Sequence, residues 1–169
     1  VIHENRIINY FLEKDGSLEK VLNIFIRVNS GGTELTYSDI LLSIATAQWK
    51  EYDAHEEINK LVDELSRTGN GFDFNKDFVL KSSLVLADIR NIAFKVENFN
   101  KQNMERIEEQ WDNIKLALRG AVNLASSFGY DRHTLTANYA LIPIAYYLKR
   151  KQSPKSFVLA SQYASDRGK

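Results

Sequence analysis

The stretch Asn100–Gly129 reads NKQNMERIEEQWDNIKLALRGAVNLASSFG, and it decides the fold class. Its apolar residues recur at alternating spacings of three and four, which is the pattern of a helix packed nearly parallel to its neighbours. This apolar seam comprises Met104, Ile107, Trp111, Ile114, Leu118, Ala121 and Ala125. Because a dimeric coiled coil needs more heptads and the seam ends in small residues, the pattern favours close packing inside a bundle. We therefore predict one unbroken helix from Asn100 to Gly129.

Helical periodicity and turn residues extend to both sides of this stretch. Thr36 and Asp53 precede apolar-periodic segments as N-cap residues do, and Pro143 inside such a segment predicts a kink. A first segment covers 5–12. The predicted helices that follow it cover 17–28, 36–48, 53–67, 76–87, 100–129 and 136–151, and a last helix runs from 154 to beyond 164. The helix that begins at 53 is closed by the glycine turn at 68–71. Apolar and polar residues alternate over 90–99, which predicts a short strand or an extended link. The expected fold is all-α, a bundle of about seven helices in a single domain over 1–169.

The composition is that of a globular protein, with 44% hydrophobic and 26% charged residues. The longest apolar runs, 40–47 and 140–148, are too short for a membrane span, which takes about 20 residues. The absence of cysteine and of a visible secretory leader predicts a reducing cytoplasm. Because the chain opens at Val1 without methionine and stops in a helical pattern at Lys169, we expect a fragment of a larger protein.

Charge is balanced over the whole chain, with 22 basic and 22 acidic residues, so the overall field does not attract nucleic acid. Two local patches differ from this balance. One is acidic and contains Glu51, Asp53, Glu56, Glu57, Asp63 and Glu64, and the other is basic and contains Lys149, Arg150, Lys151, Lys155, Arg167 and Lys169. A solvated helix face is the commoner reason for such a patch, and DNA contact by Lys149, Arg150, Lys151 and Lys155 is the alternative.

Residues that could perform chemistry are few. The three histidines, His3, His55 and His133, have no metal-ligand spacing, so no metal site is expected. No phosphate-binding loop and no nucleophile elbow is present. The spacing of Glu108 to Asp112 predicts solvated groups on a helix surface rather than catalytic carboxylates. We therefore expect no catalytic residue and no cofactor within this chain.

One glycine turn stands out, Asn29-Ser30-Gly31-Gly32, which lies between two predicted helices. Glycine adopts left-handed dihedral angles at low cost and exposes backbone N–H groups, so the turn can cap a helix or cradle an anion. Arg27 would add a positive charge beside it. From the spacing alone, helix capping is the commoner use.

The residues around this turn, Phe25 to Leu35, read FIRVNSGGTEL. They resemble the Phe-x-Arg-x-Asn-x-Gly-Gly-x-x-Leu signature of the prokaryotic family that contains the N-terminal half of GmrSD-type restriction endonucleases, a ParB/sulfiredoxin-like group. A second stretch, Leu135 to Tyr147, reads LTANYALIPIAYY and is similar to a later helical segment of that family. The order and separation of the two stretches also fit, although only the first signature is specific.

The resemblance implies an architecture that extends beyond this chain. In the family, an upstream Asp-Gly-Gln-Gln-Arg motif on a ParB-like core is associated with nucleotide binding and hydrolysis, and many members carry a downstream His-Asn-His nuclease domain. Neither motif occurs here. The chain would then be the helical part of a nucleotide-dependent DNA restriction endonuclease that defends against phage and other foreign or modified DNA. The full-length protein would use a nucleoside triphosphate and could use a divalent metal ion.

The same resemblance implies a role for the glycine turn. Arg27 would contact a phosphate or a buried acid of the upstream motif, Asn29 would fix the helix end or bond to the nucleotide, and Gly31 and Gly32 would allow close backbone approach. In the simpler interpretation, Arg27 and Asn29 only stabilise the conformation of the turn. A function from another class is a non-catalytic helical module that docks a nuclease partner or DNA through its basic end.

Overall fold

The structure is a computed structural model that describes residues 20, 21, 24, 36–152 and 161–167. The sequence predicts a single domain over 1–169, whereas the chain divides into two compact units, Val1–Tyr37 and Ser38–Lys169. Lys20, Val21 and Ile24 are helical, as predicted for the helix over 17–28. The remainder of that predicted helix, the segment 5–12 and the start of the predicted last helix lie outside the described residues.

The described part of the second unit is built from helices joined by short turns. Its helices are α1 (Tyr37–Thr46), α2 (Ala54–Ser66), α3 (Lys76–Leu86), α4 (Lys101–Glu109), α5 (Trp111–Ser127), α6 (Leu141–Arg150) and α7 (Ala164–Arg167). Helix α1 begins at Tyr37, one residue before the second unit begins. Single 3-10 turns occur at Val96–Asn98, Asn138–Ala140 and Ser161–Tyr163. No strand occurs among the described residues, and the all-α bundle is confirmed. The segment 90–99 is an irregular link.

Local sequence signals set the ends of α2. The Asp53 carboxylate accepts the backbone N–H groups of His55 at 2.9 Å and Glu56 at 3.1 Å, which confirms its predicted role as N-cap. After α2, Gly69 and Gly71 have φ angles of +59° and +92°, which favour glycine. The two glycines, which are visible in the sequence, therefore account for the turn that follows α2.

The prediction of one long helix over 100–129 was wrong, because the helix breaks at Gln110. This residue ends α4 and precedes α5, with φ −103° and ψ 6°. All seven residues of the apolar seam are nevertheless buried. Periodicity locates the buried face correctly, but it does not detect a break at one residue within the apolar pattern.

The prediction of a kink at Pro143 was also wrong. The 3-10 turn Asn138–Ala140 precedes α6, which begins at Leu141, so Pro143 is the third residue of the helix. The first four N–H groups of an α-helix have no partner inside the helix. A proline in this turn therefore removes no helical hydrogen bond, and α6 begins around Pro143.

The core lies between α5 and its neighbours. α5 packs against α6, α2 and α4, while α3 packs against α2, α6 and α4. A Cβ atom added to Gly120 on α5 would lie 3.0 Å from Cδ1 of Leu148 on α6, which shows how closely these two helices approach. At the start of α5, the fully buried Trp111 ring lies 5.0 Å from the Trp49 ring in an edge-to-face arrangement. Among the described helices, none has the length and apolar character needed to cross a bilayer.

Candidate functional site

Two of the predicted site regions fall outside the part of the chain that the structure describes. These are the glycine turn, with Arg27, Asn29, Gly31 and Gly32, and the basic residue Lys155. Their predicted roles stay predictions. The remaining predicted site residues, Lys149, Arg150 and Lys151, lie at the end of α6 and can be placed.

Helix α6 and the turn before it are formed largely by the second stretch of the family resemblance, 135–147. Leu141, Ala145 and Leu148 form its buried face, at 3%, 0% and 4% exposure. Tyr147 on the helix is 36% exposed, and Tyr139, in the 3-10 turn before it, is 45% exposed. Exposed aromatic rings offer apolar surface on which another molecule can pack.

Lys149 points its amine towards the protein. Its Nζ donates to the backbone carbonyl of Leu86 and to Oε1 of Gln110, both at 2.6 Å. Leu86 is the last residue of α3, so the ammonium lies at the negative end of that helix. Burial lowers the pKa of Lys149, and the nearby cations Arg150 and Arg106 act in the same direction against the charge of Asp88.

Asp88 occupies the position after α3 where glycine is usual. Its φ angle is +54°, its N–H donates to the carbonyl of Val85, and the next N–H closes the helix onto Leu84. Its carboxylate accepts the hydroxyl of Tyr146 at 2.8 Å and the guanidinium of Arg150 at 2.9 Å. Burial acts to raise the pKa of Asp88, but the Tyr146 hydrogen bond and the neighbouring cations outweigh it and leave the pKa lowered.

Arg150 and Lys151 complete the end of α6. The Arg150 guanidinium also donates to the Tyr146 hydroxyl, at 2.6 and 2.9 Å, and this hydrogen bond together with the charge of Asp88 raises the pKa of Arg150. The Lys151 ammonium lies 5.8 Å from the centre of the Tyr147 ring. Lys149 and Arg150 are thus engaged with groups of the protein itself, whereas Lys151 is exposed beside an exposed ring.

Sequence reasoning missed a second pairing of tyrosine and lysine at the other end of α6. The Lys81 ammonium lies 3.0 Å from the Tyr139 hydroxyl, 4.6 Å from the centre of that ring and 4.7 Å from the Phe94 ring. Tyr139 also lies 6.2 Å from Phe78, the last ring of a stacked row. The sequence does indicate that aromatic residues are concentrated here, because residues 132–152 contain three tyrosines and no acidic residue.

Two carboxylates of the acidic patch, Glu57 and Glu64, have a structural role. Glu57 accepts the indole N–H of Trp111 at 2.7 Å and the ammonium of Lys115 at 2.8 Å. Glu64 forms a bidentate pair with Arg119 at 2.6 and 2.7 Å. These carboxylates fasten α2 to α5. An open groove runs along the outer side of α2, and its described lining consists of His55, Glu56, Asn59, Lys60, Asp63, Glu64 and Arg67.

Within the described ranges, no three histidine or carboxylate side chains come together in a way that could hold a metal ion. His55 contacts Asn59 on its own helix, and His133 lies in the loop before α6. No protein-family model matches the chain, and no curated protein matches it significantly. The family resemblance therefore rests on its two stretches of sequence.

Proposed function

We propose that this chain is the helical part of a nucleotide-dependent DNA restriction endonuclease of the GmrSD type, and that its catalytic motifs lie elsewhere in the full-length protein. The observation that carries the proposal is the pattern FIRVNSGGTEL at 25–35, followed at the family's distance by LTANYALIPIAYY at 135–147. In this proposal the parent acts on foreign or modified DNA in a prokaryotic cytoplasm. It uses a nucleoside triphosphate that binds to an upstream ParB-like core.

The packing of α6 supports a structural role for this chain, with catalysis elsewhere in the full-length protein. The second stretch places aliphatic side chains on the buried face of α6, against α5 and α3, and Lys149 and Arg150 hold the end of the helix to the α3 terminus. These contacts hold the helices of the bundle together. Arg27, Asn29, Gly31 and Gly32 would then form the rim of the nucleotide site, with the centre of that site on the upstream core.

Substitution of Arg27 tests the proposal directly. In the full-length protein, we expect Arg27→Ala to lower nucleotide hydrolysis by roughly tenfold or more, the value of one lost hydrogen bond to a charged group, and to weaken phage restriction. Arg67→Ala is the matched control, because Arg67 is an exposed arginine and its ion pair with Asp63 is long, at 3.8 Å. Equal hydrolysis by both variants would refute the role of Arg27.

The sequences that flank the chain give an independent test. We expect Asp-Gly-Gln-Gln-Arg to be encoded before Val1, and a His-Asn-His pattern to be encoded after Lys169 or in a neighbouring gene. If the first motif were missing, the family assignment would be wrong.

The second candidate function is a non-catalytic module that docks a nuclease partner or DNA. The exposed Tyr147 ring with Lys151 beside it at the end of α6 favours this function. If the module contacts DNA, its affinity must fall as salt rises, since phosphate contacts release bound counterions. Absence of DNA binding at low salt would leave only protein docking for this end of α6.

A further inference from the structure

We draw no further inference here: the strongest candidate, the surface patch at the end of α6 where the Lys151 ammonium lies beside the exposed Tyr147 ring, carries nothing, because nothing in the described part of the structure shows what covers it.

Discussion

The carboxylate of Glu108 on α4 lies 2.7 Å from the backbone nitrogen of Lys50, in the loop between α1 and α2. The same Oε1 atom accepts the N–H groups of Glu51 at 2.7 Å and Tyr52 at 3.1 Å. Glu108 is 7% exposed. Its helical spacing to Asp112 predicted a solvated surface group, and that interpretation was wrong, because the loop folds over the carboxylate and supplies three donors. One buried charge thereby fixes the α1–α2 loop to α4.

Replacement of this carboxylate should destabilise the protein strongly. We expect Glu108→Ala to lower the free energy of unfolding by about 3 kcal/mol, because three backbone N–H groups in part-buried hydrogen bonds lose their acceptor. Glu108→Gln keeps one acceptor oxygen and should lose less. Denaturant unfolding of each variant measures the difference. The control is Glu109→Ala, since Glu109 is exposed and adjacent on the same helix, and its effect should stay within about 0.5 kcal/mol. Equal losses at the two positions would contradict the role of the loop donors.

Two substitutions of Asp88 separate its backbone role from its side-chain role. Asp88→Ala removes the partner of Tyr146 and Arg150 and keeps a Cβ atom at a φ angle of +54°. Asp88→Gly removes the same partner but relieves the backbone, so we expect it to be more stable than the alanine variant by about 1 kcal/mol. Thermal unfolding of the two variants gives this difference. If alanine were as stable as glycine, the left-handed backbone would not contribute.

The parts of the fold that follow from short-range chemistry could be predicted. Asp53 caps α2, Gly69 and Gly71 turn the chain after it, and the apolar seam from Met104 to Ala125 is buried. Each of these features depends on residues within a few positions of one another. The break at Gln110 has no such local signal, and the contact that the Gln110 side chain makes there, accepting the amine of Lys149, comes from a distant helix.

The candidate site was predicted less well for a similar reason. Counting charges selected Lys149 and Arg150, but their amine and guanidinium contact Leu86 and Asp88, which lie about 60 residues away in sequence. The pairing of Lys81 with Tyr139 also joins distant segments. Composition indicates which residues carry charge, whereas packing decides which charges remain available to a ligand.

Pro143 provides a test of where α6 begins. In the first turn of a helix a proline costs little, whereas in the interior it costs about 3 kcal/mol. We therefore expect Pro143→Ala to change the free energy of unfolding by less than about 0.5 kcal/mol. Ala145→Pro, two residues further into the helix at a buried position, is the positive control and should be severely destabilising. A gain near 3 kcal/mol for Pro143→Ala would mean that the helix begins well before Leu141 and carries Pro143 in its interior, as the sequence predicted.

The ion pair between Glu57 and Lys115 should make stability depend on pH. The hydrogen bond from Lys115 lowers the pKa of Glu57 against the opposing effect of burial. A carboxylate whose pKa is lower in the folded state stabilises the protein above its ordinary value, 4.5, and loses that contribution as pH falls through the folded-state pKa. We expect Glu57→Gln to be less stable than the parent by about 1 kcal/mol at neutral pH, and the gap to close in acid. In a Lys115→Met background the pH dependence of this gap should largely vanish, and its persistence there would assign the pKa shift to another partner.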